Sequence, residues 1–344
     1  MVRNMVKIVV DAFGGDYAPV EVVAGAVNAI NNNDKIVVVL SGKEEALREE
    51  LSKYTYNEKQ IEIINADEVI DNNESPTVAI RTKKNSSLVK AFDYANENDD
   101  AVGVISAGST GAVLTGGFMK FGRIRGIHRP ALCPVFNSIT GSTVSICDCG
   151  ANMDCKPEYL EQFAVMASAY HNILGNKKPK VALLNVGTEE HKGDTLTKEA
   201  FALLSNNKDI NFVGNMEARD LMKGEVDIVV ADGFAGNVLL KSTEGAMKSL
   251  LKTLKSEIKS SFISKIGALF MRKTFKNLKS RFDYSDKGGA VLLGCKKLLV
   301  KAHGNSKAVS FTACIEQMYS MHKGKLITKI TDKLGKSSIG ETNE

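Results

Sequence analysis

Six Gly-rich polar turns recur along this 344-residue chain, and five of them directly follow short apolar or β-branched runs. The turns are Asp11-Ala-Phe-Gly-Gly-Asp16, Ser106-Ala-Gly-Ser-Thr-Gly111, Asp148-Cys-Gly-Ala-Asn152, Asn185-Val-Gly-Thr188, Asp232-Gly-Phe-Ala-Gly-Asn237 and His303-Gly-Asn-Ser306. Glycine lets backbone N–H groups approach a ligand, and a helix N-terminus presents partial positive charge to it. The turns therefore predict one crevice, lined by loops from the whole chain, that binds a small anion.

Alternating strand and helix patterns surround these turns and predict an open, mainly parallel α/β sheet. Strands are expected at residues 7–10, 35–40, 61–64, 101–105, 143–146, 181–184 and 227–231. Helices are expected at residues 20–30, 43–51, 78–91, 157–170, 195–204, 238–254 and 288–302. Ligands of such sheets bind beyond the carboxyl ends of the strands, where these turns would meet.

Composition indicates a globular protein without a targeting segment. The chain is 43% hydrophobic and 25% charged, and no apolar run approaches the roughly 18 residues that span a bilayer. Asp11 interrupts the first apolar run, so a signal peptide is not predicted and a cytoplasmic location is expected. No Pro/Gly/Ser-rich linker divides the chain, which favours one two-lobed catalytic unit over residues 1–334, followed by a disordered tail at 335–344.

The net charge of +5 is concentrated in one basic segment, residues 246–282. This segment holds ten Lys or Arg residues against a single acid, Glu257. Apolar residues at helical spacing, followed by an apolar cluster around Gly267, predict a protruding amphipathic helical hairpin. The cluster, which we call the basic tip, consists of Ile263, Ile266, Leu269, Phe270 and Met271. It suits an anionic membrane surface, an acidic partner protein, or a dimer interface.

The order of the motifs resembles the bacterial phosphate acyltransferases of the PlsX family, over roughly residues 6 to 322. The matching runs include Val10-Asp-Ala-Phe-Gly-Gly-Asp-Tyr-Ala-Pro19, Asp148-Cys-Gly-Ala-Asn-Met-Asp154, Leu184-Asn-Val-Gly-Thr-Glu-Glu-His-Lys-Gly193, Val213-Gly-Asn-Met-Glu217 and Ala302-His-Gly-Asn-Ser306. Ser109 and Ala218 depart from the family pattern, which more often has Asn and Gly at these positions. Ser109 keeps a polar side chain, so the prediction of an anion site is unchanged.

This resemblance implies an enzyme that moves a long-chain acyl group from acyl carrier protein to inorganic phosphate, giving acyl phosphate for phospholipid synthesis. The implied fold is a three-layer α/β/α sandwich like those of isopropylmalate dehydrogenase and phosphotransacetylase. The implied partners are acyl carrier protein, a second copy of the chain, the inner face of the cell membrane as a peripheral surface, and a downstream glycerol-3-phosphate acyltransferase. Neither a cofactor nor a nucleic acid is implied.

Acyl transfer to phosphate requires positioning more than covalent chemistry, because phosphate is already a nucleophile and a thioester is an activated acyl donor. The enzyme must hold both substrates in line and direct donors at the oxyanion. Lys192 is the leading catalytic candidate, since its charge could neutralise phosphate or the oxyanion. Asn152 could donate to either, and Asp154 could orient Lys192 or a substrate hydroxyl. Both residues could instead cap the helix that begins near Pro157. His303 could donate to phosphate, protonate the leaving thiolate, or only complement a helix dipole.

The remaining predicted substrate-binding residues all lie in the turns. They are Asp11, Gly14, Gly15, Asp16, Ser109, Thr110, Gly111, Gly187, Thr188, Asp232, Gly233 and Asn237, of which Asn237 could instead cap the next helix. Aspartates at strand ends can also hold Mg²⁺, but nothing in the spacing fixes an octahedral ligand set, so no metal is predicted. The cysteines at 147, 149 and 155 lack the paired spacing of zinc sites, which favours reduced thiols.

Two other functions remain open from the sequence. An NAD-dependent hydroxy-acid dehydrogenase could use the related fold, although no Gly-x-Gly-x-x-Gly fingerprint follows a strand. A non-enzymatic membrane scaffold would need the basic tip but not six polar turns.

Overall fold

The structure is a computed structural model that describes residues 5–275, 278 and 287–335. The chain divides into two compact units. The first unit comprises Met1–Pro134, Val165–Lys178 and Ser285–Glu344, and the second comprises Val135–Ala164 and Pro179–Tyr284. The predicted tail lies outside the described residues except for Gly335. One catalytic unit over residues 1–334 stays a prediction.

The described residues form twelve strands, most of them short and buried. They are β1 (Val6–Asp11), β2 (Ile36–Gly42), β3 (Ile61–Asn65), β4 (Ala101–Ser106), β5 (Ala131–Cys133), β6 (Val135–Asn137), β7 (Thr143–Cys147), β8 (Lys180–Asn185), β9 (Asn211–Glu217), β10 (Ile228–Val230), β11 (Ala290–Leu293) and β12 (Leu298–Lys301).

Eleven α-helices that the structure describes over their whole length connect these strands. They are α1 (Val20–Asn32), α2 (Glu44–Leu51), α3 (Pro76–Thr82), α4 (Ser87–Glu97), α5 (Thr110–Gly116), α6 (Pro157–Ile173), α7 (Thr195–Asn206), α8 (Gly233–Ser260), α9 (Phe262–Phe270), α10 (Ala308–Lys323) and α11 (Leu326–Leu334). Short 3₁₀ turns lie at Glu58–Gln60 and Ala218–Lys223, and a π-helical turn lies at Gly117–Phe121.

The first unit is built on a seven-stranded sheet in the order β3-β2-β1-β4-β12-β11-β5. The strands from β3 to β12 run parallel, whereas β11 is antiparallel to both of its neighbours. All seven residues of β2 are buried, as expected of a parallel strand covered on both faces. Helices α1 and α10 pack closely at Gly25, where an added Cβ would lie 2.5 Å from the Cβ of Phe311.

The second unit contains a five-stranded sheet in the order β6-β7-β10-β8-β9, parallel except for β6. Its core includes Val144, Ile146, Ala182, Val229 and Leu239. The carboxyl ends of β7, β10 and β8 are neighbours in this sheet. The predicted mainly parallel α/β architecture is therefore confirmed, although the strands form two sheets instead of one.

Two predicted helices are wrong. Residues 288–302 form the antiparallel pair β11 and β12, because Gly294 (φ +94°) turns the chain between two continuous apolar runs that read equally well as buried strands. Residues 78–91 do not form one helix, since α3 ends at Thr82 and α4 begins at Ser87, where the Ser86 side chain accepts a hydrogen bond from the Val89 N–H.

The basic segment begins in α8 and continues through α9. From residue 241 onward, no residue of α8 or α9 is fully buried. Residues 276–277 and 279–282 of the predicted hairpin lie outside the described residues. Among the described helices, none combines the length and the apolar character required to cross a bilayer.

Candidate active site

The turns after β1, β4 and β12 converge at the carboxyl edge of the first sheet, which we call the first-unit edge. The Asp16 N–H donates to the Gly304 carbonyl oxygen at 2.7 Å, joining the first turn to the last. A Cβ added to Gly14 would lie 2.7 Å from the Gly108 nitrogen, so the first and second turns are in close contact. Glycine is required at Gly15 as well, where φ is +103°. Three predicted turns therefore meet within this unit.

Asp11 is the buried carboxylate beneath these turns, with only 2% of its surface exposed. The Ser106 hydroxyl donates to Asp11 Oδ2 at 2.6 Å, and the Gly108 N–H donates to the Ser106 oxygen at 3.0 Å. Burial raises the pKa of Asp11, and the hydrogen bond from Ser106 opposes this shift. Asp11 thus organises the turns from below, whereas Asp16 is exposed beside Gly304.

The other predicted residues of the first unit follow β4 and β12. Ser109 precedes α5, but its side chain makes no capping hydrogen bond. Gly111 packs against Pro76, whose Cγ would lie 2.7 Å from an added Cβ. His303 is exposed and follows a strand. The alternative role of His303 at a helix C-terminus is therefore wrong.

The second unit brings together the turns after β7 and β10, around the fully buried Asp148. The Asp148 carboxylate accepts hydrogen bonds from the backbone N–H groups of Cys149 and Ala151 and from both the backbone and the side-chain amide of Asn152. The Gly233 N–H donates to the Asn152 carbonyl oxygen at 2.7 Å. Asn152 is thus fixed by Asp148 within what we call the second-unit edge.

Asp232 and Asn237 lie at the start of α8 and have different roles from each other. The Asp232 carboxylate accepts from the N–H groups of Phe234 and Ala235, both at 2.9 Å, and so caps the helix. Because α8 begins at Gly233, the alternative that Asn237 caps a helix beginning at 238 is wrong. The Asn237 side chain instead lies against Gly150.

Lys192 lies in the loop after β8, the next strand of the same edge. Asn185 closes this loop, since its side-chain amide donates to the Lys192 carbonyl oxygen at 3.1 Å. Gly187 leaves room for the lysine, whose Cγ would lie 3.1 Å from an added Cβ. The Lys192 ammonium is exposed and has no hydrogen-bond or ion-pair partner among the residues that the structure describes. The backbone is therefore anchored while the charge remains available.

Asp154 is exposed and forms no ion pair with Lys192, so the orienting role predicted for it is not seen in this structure. Cys155 nearby is half-buried, and burial raises the pKa of its thiol to about 12. All six cysteines are free thiols, and five of them are buried.

Sequence reasoning assigned no role to four residues that hold the turns of the two edges or supply charge to them. Ser106, Asp148 and Asn185 hold the turns through their side chains, and Lys301 ends β12 in a buried position. Each is the last residue of a strand or directly follows one, and this position in the sequence could have identified them. Whether the two edges form one crevice stays a prediction.

The basic tip is exposed on α9 and just beyond it. Ile263, Leu269 and Phe270 expose 81%, 73% and 86% of their surfaces, and Ile266 and Met271 expose about half. Lys265, Arg272 and Lys273 are exposed beside them.

Solved structures of known proteins share this fold. A phosphotransacetylase from Staphylococcus aureus aligns over 92% of this chain and 95% of its own, with a TM-score of 0.58 and 17% identity. A 4-hydroxythreonine-4-phosphate dehydrogenase from Klebsiella pneumoniae aligns over 93% and 99%, with a TM-score of 0.51 and 13% identity. Identities this low establish the fold alone, and they place the chain in the α/β class that phosphotransacetylases and these dehydrogenases share.

Sequence relatives define the family. The model of the fatty acid synthesis protein family matches residues 6–329. A phosphate acyltransferase of Clostridium acetobutylicum is 48% identical over 328 residues, covering 95% of this chain and 98% of that protein. That of Clostridium tetani is 46% identical over 329 residues, with the same coverage. The chain belongs to this family, the PlsX family of phosphate acyltransferases, and is an enzyme of the transferase class.

Proposed function

We propose that this enzyme transfers a long-chain acyl group from acyl carrier protein to inorganic phosphate, releasing acyl phosphate for phospholipid synthesis. A phosphate oxygen attacks the thioester carbonyl carbon, and a tetrahedral oxyanion forms. The carbon–sulfur bond then breaks, and the carrier leaves as a thiolate that is protonated by His303 or by solvent. No bond to the enzyme forms in this sequence of steps.

The observation that carries this proposal is that the backbone of Lys192 is anchored while its ammonium group is exposed. Its loop is held by Asn185 and Gly187, and its ammonium has no partner in the described part of the chain. A cation preorganised in this way stabilises a developing oxyanion without paying for reorganisation during the reaction. Asn152, fixed by Asp148 in the same unit, is the second donor that we assign to the reacting groups.

A reconstituted assay tests this function. Palmitoyl carrier protein and phosphate are incubated with the enzyme, and acid-labile acyl phosphate is measured. Lys192→Ala should lower kcat about 100- to 1000-fold, which is the usual effect of removing one oxyanion donor. Lys198→Ala, which removes an exposed lysine from α7, is the matched control and should keep full activity. Full activity of Lys192→Ala would reject the role, and consumption of a nicotinamide cofactor by the wild type would reject the function.

We also propose that the basic tip binds the anionic membrane surface, where the product would be used. The described tip combines five exposed apolar side chains with flanking cations, and each cation near an anionic surface contributes on the order of 1 kcal/mol. Two tips in a homodimer would strengthen weak binding through avidity. The same cations could contact acidic acyl carrier protein.

Vesicle sedimentation separates these roles. Replacing Ile263, Ile266 and Leu269 together by Gln should abolish binding to vesicles that contain phosphatidylglycerol while leaving soluble turnover nearly unchanged. The matched control replaces three exposed apolar residues of the first unit, Val78, Leu174 and Val309, by Gln. Persistent vesicle binding by the tip variant would refute the membrane assignment, and a raised KM for the carrier would point to carrier docking instead.

A further inference from the structure

A row of polar residues ends four neighbouring strands of the first sheet. Ser41 of β2 pairs in register with Asp11 of β1, and Lys301 of β12 pairs with Ser106 of β4. All four are buried, and Lys301 is only 9% exposed. Burying an ammonium group costs considerable free energy unless hydrogen bonds and opposite charges compensate it. Lys301 therefore requires an explanation beyond packing.

The described protein satisfies the Lys301 ammonium only in part. Its Nζ donates to the Ala302 carbonyl oxygen, and it forms no ion pair with any described residue. A lysine ammonium has three N–H donors, so two are left over. Burial lowers the pKa of Lys301 to about 8, while the Cys314 thiol on α10 and the carboxylates of Asp11 and Asp16 act in the opposite direction.

Lys297, four residues earlier, is a lysine whose ammonium group has a purely structural role. Its ammonium donates to three carbonyl oxygens, those of Ala95, Asn98 and Ala101, and so uses all of its N–H groups. Lys297 thereby holds the chain between α4 and β4. Lys301 is more deeply buried than Lys297 but lacks this saturation, which indicates that an acceptor from outside the chain completes its environment.

We propose that Lys301 is a second phosphate-binding cation of this enzyme, with its two remaining N–H groups donating to phosphate oxygens at the first-unit edge. The inference rests on the proposed function and adds a residue that the turns alone do not predict. The Gly304 turn begins two residues after Lys301, and the hydrogen bond from the Asp16 N–H to the Gly304 carbonyl oxygen ties it to the first turn. The charge of Lys301 also offsets the repulsion that Asp11 and Asp16 would exert on an anion.

The experiment measures the binding of inorganic phosphate directly. Calorimetric titration with inorganic phosphate and the KM for phosphate are compared among wild type, Lys301→Met, Lys301→Arg and the control Lys307→Met, which removes an exposed lysine near the same turn. Lys301→Met should weaken phosphate binding about 10-fold or more at neutral pH, as expected for the loss of a charged hydrogen bond. The KM for the acyl donor should change little, the melting temperature at neutral pH should not fall, and Lys301→Arg should recover most of the affinity.

A pH series adds a readout that a merely structural lysine would not change. The advantage of wild type over Lys301→Met in phosphate affinity should shrink between about pH 7 and about pH 10, since Lys301 loses its proton over this range. Unchanged phosphate affinity in a folded Lys301→Met, or an advantage that does not vary with pH, would overturn the inference. If the wild type makes acyl phosphate while these variants behave normally, only this inference fails; if the wild type makes none, the proposed function fails as well.

Discussion

Each of the two edges has a buried carboxylate and a lysine, but the hydrogen bonding of the carboxylate and the burial of the lysine differ between them. In the second unit, Asp148 accepts hydrogen bonds from four N–H groups of its own turn, and Lys192 is exposed without a partner in the described residues. In the first unit, Asp11 Oδ2 accepts a hydrogen bond from the Ser106 hydroxyl, whereas Oδ1 has no hydrogen-bond partner among the described residues. There the lysine, Lys301, is buried.

This difference separates groups that hold the turns in place from groups that can bind a ligand. A buried group whose hydrogen bonds are all made within the chain holds a turn in place, and its removal should mainly cost stability. A group with unused donors or acceptors costs stability in the apo protein and is retained where a ligand completes it. By this criterion Asp148 is scaffold, whereas Lys301 and Lys192 are the groups available to an anion.

The largest expected effect tests the scaffold role of Asp148. Asp148→Asn replaces one acceptor oxygen by an NH₂ group facing backbone N–H donors, so it should lower the free energy of unfolding by about 3 kcal/mol or more. Urea denaturation of the purified protein measures this change.

The matched substitution in the first unit is Asp11→Asn. Its amide oxygen can still accept from Ser106, and the change removes a buried charge, so a loss below about 1 kcal/mol is expected. Equal losses in the free energy of unfolding for Asp148→Asn and Asp11→Asn would show that the two carboxylates have the same structural role. The difference that we draw between the two edges would then be wrong.

Most of the fold could be predicted from local patterns. The strands after which the turns occur are short apolar runs with Gly-rich ends, and the structure confirms all five that preceded a predicted turn. The helix predicted at 288–302 failed because the runs that became β11 and β12 contain few polar residues, so no period distinguishes helix from strand. Only pairing with β4 and β5 decides between them, and that contact is not local.

The sequence predicted which turns form the candidate site, but it did not predict which side chains in those turns are buried or hydrogen-bonded to each other. Lys192 was recognisable because it follows a strand-end turn beside a glycine. Asp148 begins one of the six predicted turns, yet nothing in the sequence reveals that its carboxylate accepts a hydrogen bond from the Asn152 side-chain amide. Lys301 was concealed within a run assigned to a helix, where a terminal lysine looks like an ordinary dipole partner. Burial and hydrogen-bond saturation arise from tertiary structure, so sequence periodicity does not contain them.

A further prediction concerns the pH dependence of stability at the first-unit edge. Burial lowers the pKa of Lys301 from 10.5 in the unfolded chain to about 8 in the folded one, so the unfolded state binds more protons between these values. Stability should therefore rise with pH from about 8 to about 10.5, by at most about 3 kcal/mol.

Lys301→Met lacks this titration, so it should be more stable than the wild type at neutral pH by a margin that disappears toward pH 10.5. Urea denaturation of both proteins in phosphate-free buffer measures the difference, and Lys192→Met serves as the exposed-lysine control. A constant difference between wild type and Lys301→Met across the series would mean that the buried ammonium is already compensated within the chain, and the contrast between the two edges would fail.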